Sequence, residues 1–215
     1  MIADLEFAVR PPAGPDPAGT LVLLHGRGAD QHDLLPVADA IDPEGRLFVL
    51  SPRGPLSLPP GGAHWYRLAG IPTPDPETFR ATRELLAGWL DAVPEHTGVP
   101  WERTVLGGFS QGTVMSYAMG LGEGRPSPAG ILAMSGFIPE VPGFALDLAS
   151  RRGLPVAISH GTLDQVIPAR FGREAAERLQ AAGLAVEFRE TPVGHGVDPR
   201  LIPELREWLA ARTAG

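Results

Sequence analysis

The sequence predicts a single α/β domain, a mostly parallel, doubly wound sheet of about seven strands with helices on both faces. Short unbroken apolar runs alternate with stretches of helical spacing, which calls for a parallel sheet. A length of 215 residues suits one domain with a substantial core. No internal repeat or low-complexity segment interrupts the alternation.

Residues 4–10 suit an edge strand, and Pro11 to Gly19 is a connector too short to separate domains. Thr20 to Leu24 is the first buried strand, an unbroken apolar run. Asp30 is placed to cap a helix whose apolar side is Leu34, Leu35, Val37, Ala38 and Ile41. Leu47 to Leu50 is a second buried strand, closed by Ser51-Pro52. A proline- and glycine-rich loop then runs from Arg53 to about Asp75 and carries an aromatic island, His64-Trp65-Tyr66. Loops this long in a compact domain are often functional. Asp75-Pro76 opens a helix with a cap and a proline at the first helical position. Phe79, Leu86, Trp89, Leu90 and Val93 recur at helical spacing and read as core.

Thr104 to Leu106 reads as a strand and Val114 to Leu121 as a helix, with Gly108-x-Ser110-x-Gly112 between them. A strand that reverses at once into a helix strains the corner residue, and glycines on either side let strand and helix pass closely. Ser110 then stands over a helix N-terminus, placed as a nucleophile. The pattern alone is weak in a chain with 27 glycines; its strand-turn-helix setting gives it weight. Gly130 to Met134 and Leu154 to Ser159 are the next strands, separated by an irregular segment at 139–150. A helix from about Pro168 to Ala182 follows. Leu184 to Glu190 alternates like a half-exposed strand, and Asp198-Pro199 opens a last helix bearing Ile202, Leu205, Trp208 and Leu209 on one face.

Composition narrows the function. Hydrophobic residues at 43% and charged residues at 20% are globular values, and no apolar run approaches a membrane span, so no stable membrane insertion is expected. The first six residues are acidic where a secretory signal would be basic and then apolar, which favours the cytoplasm. A net charge of −7 argues against nucleic acid as a partner. Cysteine is absent, ruling out disulfides and thiolate chemistry, and the 18 basic residues are all arginine, ruling out lysine-based mechanisms. The histidines are scattered and H-E-x-x-H is missing, so no metal is implied. Gly26-x-Gly28 lacks the third glycine of a nucleotide loop, and no cofactor is expected.

In parallel sheets ligands bind beyond the carboxyl ends of the strands, and His25, Ser110, Asp164 and His195 each lie just past the end of a different one. A serine needs a base, and the base an acid to orient it, in the chain order Ser, Asp or Glu, His. After Ser110 only His160 and His195 remain. His160 precedes Asp164 at a strand end and reads as structural or pocket wall, so His195, in a glycine-flanked loop, is the expected base. Asp164 follows a buried strand at the right point in the order. Its rivals fit less well: Glu140 and Asp147 have no strand before them, Glu174 and Glu177 fall on a helix, and Asp198 suits an N-cap. The oxyanion hole is expected from the backbone N–H groups of Gln111 and Arg27.

Leu24-His25-Gly26-Arg27-Gly28, Gly108-Phe109-Ser110-Gln111-Gly112, His160-Gly161-Thr162-Leu163-Asp164-Gln165-Val166-Ile167-Pro168 and Gly194-His195 together resemble the bacterial carboxylesterase, lysophospholipase and acyl-protein thioesterase family, in order over residues 20–212. The resemblance implies an α/β-hydrolase fold without a large lid. It also implies serine hydrolysis of small carboxylic esters of short to medium acyl chain, with Ser110, Asp164 and His195 as the triad. Thioesters and lysophospholipids are the alternative substrates of the same triad, and a non-catalytic ligand-binding relative is a remote one. The Trp65 region would flank the acyl pocket, with Phe137 and Val166 as further candidate wall residues. The family includes dimers, so a homodimer is admitted, although no helix shows an exposed apolar stripe. Two positions depart from the family pattern. Thr113 replaces a glycine and would tighten packing under the elbow. Arg27 replaces an apolar residue; a salt bridge to a nearby carboxylate is the favoured expectation, and a bias toward acidic or polar esters is the other.

Overall fold

The computed structural model describes residues 5–213. The elements run β1 (Phe7–Arg10), β2 (Gly19–Leu24), α1 (Leu35–Ile41), β3 (Leu47–Pro52), β4 (Leu56–Leu58), β5 (Gly62–His64), α2 (Pro76–Asp91), α3 (Val93–Thr97), β6 (Thr104–Phe109), α4 (Gln111–Leu121), β7 (Gly130–Met134), β8 (Pro155–Gly161), α5 (Arg170–Ala181), β9 (Ala185–Thr191) and α6 (Ile202–Thr213).

The apolar runs become a seven-stranded sheet in the order β1-β3-β2-β6-β7-β8-β9. Every neighbouring pair is parallel except β1 with β3. Because successive strand residues face opposite ways, a continuous apolar run feeds both faces of the sheet. Leu21 and Leu23 of β2 pack with Ala38 and Ile41 of α1 and Trp208 of α6. Val22 and Leu24 pack on the other side with Leu86 and Trp89 of α2 and Met115 and Met119 of α4. Farther along, Ile131 of β7 and Val156 and Ile158 of β8 cluster with Ala175, Ala176 and Leu179 of α5. Each fully buried Leu or Val contributes about 1.5–3 kcal/mol, so these central strands hold most of the hydrophobic stabilisation.

Several boundaries differ from the sequence expectation. The strand expected from residue 4 begins at Phe7, and residue 4 lies outside the described residues. Asp30 does not cap α1. Its carboxylate accepts the His32 N–H at 2.8 Å, closing a local turn, and α1 starts at Leu35 beside Pro36. Val93 is buried as expected but belongs to α3. Pro94 has no N–H for Leu90 O and its ring crowds that carbonyl, so the long helix stops at Asp91. The irregular loop at 53–75 contains the antiparallel hairpin β4–β5. Asp75 does cap α2, accepting the Thr78 N–H at 3.0 Å. Among the described residues no helix is long and apolar enough to cross a membrane.

Candidate active site

One residue separates β6 from α4, and it is Ser110, held at φ 56°. That left-handed backbone costs a non-glycine residue on the order of 1–3 kcal/mol and persists because the surroundings leave no alternative. A Cβ at Gly108 would lie 2.3 Å from the Gly112 carbonyl carbon, and one at Gly112 would lie 1.7 Å from Leu24 O. The G-x-S-x-G spacing is therefore a packing requirement where β6 enters α4 beside β2. Every residue of α4 is buried, so its start cannot drift. The Thr113 hydroxyl donates to Gly108 O at 2.6 Å and accepts the Met134 N–H at 3.0 Å, which fastens α4 to both β6 and β7.

The other two groups arrive from the ends of β8 and β9. His195 Nε2 lies 2.9 Å from Ser110 Oγ, and its Nδ1 lies 2.6 Å from Asp164 Oδ2. A carboxylate only accepts, so Nδ1 carries the imidazole proton and Nε2 is left to accept from the serine hydroxyl. Asp164 is fixed in turn: its Oδ1 accepts the Val166 and Ile167 N–H groups, each at 2.8 Å. Phe109 tilts against the imidazole with ring centroids 4.8 Å apart. His160 is buried beneath the acid, donating from Nε2 to Ile167 O at 2.8 Å; its Nε2 is 3.5 Å from Asp164 Oδ2 and it does not reach Ser110. Asp198 instead accepts the Arg200 N–H and side chain, which hold its carboxyl far below the usual range.

The loop after β2 is braced from below. His25 is fully buried; its Nδ1–H donates to Gly26 O at 2.7 Å and its Nε2 accepts the Gly54 N–H at 2.9 Å. Burial lowers its pKa, against the opposing pull of the Gly26 carbonyl, and the neutral ring is the form this bonding needs. The loop is also tied to the hairpin, since the Gly28 N–H donates to Ala63 O and the Ala63 N–H to Ala29 O, both at 2.8 Å. Among the described residues the N–H groups of Arg27 and Gln111 have no hydrogen-bond acceptor. Gln111 is the first residue of α4, where an N–H has no intrahelical partner.

Ser110, Gln111, His195 and Arg27 all line one cavity of about 430 Å³. Phe137 and Val166 line it too, with Tyr66, Leu68, Ile71 and Ile167, which sequence reasoning missed. Trp65 does not line it. Its indole N–H donates to His25 O at 2.8 Å and its backbone N–H to Gln111 Oε1 at 3.0 Å, so it is committed to the core. Tyr66, its neighbour in the aromatic island, takes the place expected of it. The salt bridge expected of Arg27 is also missing: none of the ion pairs among the described residues includes it.

A family model described as Phospholipase/Carboxylesterase matches residues 6–213. The acyl-protein thioesterase 1 of Yarrowia lipolytica is 30% identical over 179 residues, covering 77% of this chain and 78% of that protein. The acyl-protein thioesterase 1 of Cryptococcus neoformans is 29% identical over 221 residues, covering 88% and 90%. Among solved structures, the Bacillus cereus carboxylesterase superposes with a TM-score of 0.84 at 23% identity, covering 98% of this chain and 95% of that one.

Proposed function

Because the chain belongs to the phospholipase/carboxylesterase family, a family of serine hydrolases with the α/β-hydrolase fold, we propose that Ser110, His195 and Asp164 are its catalytic triad. The observation that carries the proposal is the unbroken relay of 2.9 Å and 2.6 Å contacts opening on the cavity.

His195 Nε2 takes the Ser110 proton as Oγ attacks the ester carbonyl. The C–O π pair moves onto oxygen, and that oxyanion accepts from the Arg27 and Gln111 N–H groups. Each such donor is worth roughly 10²–10³ in rate. The imidazolium then protonates the leaving alcohol as the C–O bond breaks, and water repeats the sequence on the acyl-enzyme. Asp164 stays ionised and holds the tautomer throughout. Carboxylic esters are the primary substrate in this reading. The same steps cleave a thioester, and the thioesterase names of the relatives favour that as the second activity.

Incubation with a fluorophosphonate tests the proposal. The expected result is a single adduct on the Ser110 peptide, abolished in His195→Ala. An adduct on another serine, or none, overturns it.

A further inference from the structure

Among the described residues, Arg27 is the only one lining the cavity with a permanent charge, and no acidic side chain lines it. The side chain is exposed, and among the described residues its guanidinium has neither a salt-bridge nor a hydrogen-bond partner. Arg27 and Arg67 both disfavour the charged form of His64, adding to the effect of burial. In a chain with a net charge of −7, the permanent charge lining this apolar cavity is the positive one of Arg27. The position matters as much as the charge. The Arg27 backbone faces the reacting carbonyl in the reading above, so its side chain is tethered a few bonds from the chemistry.

We propose that the Arg27 side chain is a specificity-determining group that receives an anionic substituent, a carboxylate or similar oxyanion, carried a few bonds from the scissile ester carbonyl. The inference rests on the esterase reading and narrows its substrate class. A guanidinium offers a planar set of donors that suits carboxylate oxygens, and the exposed apolar side chains of Leu68, Ile71 and Val166 line the same cavity. Because the group is exposed, the selectivity it confers is about tenfold rather than a hundredfold.

Two matched pairs of esters locate the anion. Mono-4-nitrophenyl succinate against 4-nitrophenyl butanoate places it on the acyl side. 4-Butanoyloxybenzenesulfonate against phenyl butanoate places it on the leaving group. In one pair, the anionic-to-neutral ratio of kcat/KM falls about tenfold on Arg27→Gln, with Arg27→Lys retaining part of it. Added KCl erodes the same ratio in the wild type only. Unchanged ratios in both pairs overturn the proposal. Calorimetric binding of monomethyl succinate to Ser110→Ala, with and without Arg27→Gln, reads the same contact without turnover. If the wild type hydrolyses no ester, the esterase reading fails, and this binding comparison alone decides the role of Arg27: weaker binding upholds it and equal binding overturns it.

Discussion

Thr113 and Met134 are joined beneath Ser110: the Thr113 hydroxyl accepts the Met134 N–H at 3.0 Å, while Met134 O accepts the Ser110 N–H at 2.9 Å. The end of β7 therefore holds the strained corner at both its serine and its first helical turn. All of these groups are buried, so any hydrogen bond lost here leaves a polar group without water.

Thr113→Val removes the hydroxyl while keeping the shape, so its bonds to Gly108 O and from the Met134 N–H are lost. The expected loss is about 2 kcal/mol, read as a lower urea midpoint, with Thr113→Ser recovering most of it. A Val variant as stable as the wild type would show that these bonds do not hold the corner.

Asp164→Asn should spare the fold and remove the chemistry. An amide oxygen can still accept the Val166 and Ile167 N–H groups, but the amide nitrogen then faces His195 Nδ1. The imidazole is driven to the tautomer with its proton on Nε2, which cannot take one from Ser110. The expected fall in kcat is roughly 10³–10⁴-fold, measured on an aryl ester with thermal melting as the control.

Gln111 contributes more than its N–H. Its side chain accepts from the Trp65 N–H and donates to Tyr66 O, both at 3.0 Å, holding the segment that carries a cavity wall. Gln111→Ala keeps the backbone donor but frees Tyr66. The expected signature is a KM raised about tenfold with kcat reduced less, and equal losses in both would point to damage at the oxyanion donor instead.

Stability should decline on mild acidification. Burial lowers the pKa of His25, and it lowers that of His64 with Arg27 and Arg67 adding to the effect. Unfolded, both titrate near ~6.5, so below that value the unfolded chain binds protons that the folded chain does not. The contribution is complete above that range and is lost as pH falls through it. Urea midpoints at pH 8, 7, 6 and 5 check this: the midpoint is level at the alkaline end and drops toward pH 5, and His25→Gln flattens the slope.

Much of the site was legible from sequence because its determinants are local. Buried parallel strands write themselves as apolar runs, as at Leu21–Leu24, and the residues just past them meet at one end of the sheet. Close approach at Gly108 and Gly112 left its mark as two glycines. The misses depend on contacts between distant segments. Strands of three residues, as in β4 and β5, are too short to show alternation, and the loop bonds that stabilise them come from Gly28 and Ala29. Nothing in His64-Trp65-Tyr66 tells which aromatic meets Gln111 and His25 and which faces the cavity. The salt bridge expected of Arg27 was not legible either way, because pairing depends on which side chains the fold brings beside it, and among the described residues it forms none.

The central claim is that Ser110 is the nucleophile, and steady-state hydrolysis of an aryl ester by Ser110→Ala tests it most directly. The account predicts a kcat reduced by at least about 10⁴-fold with unchanged melting behaviour. A folded variant that keeps more than about a tenth of the wild-type rate would contradict it.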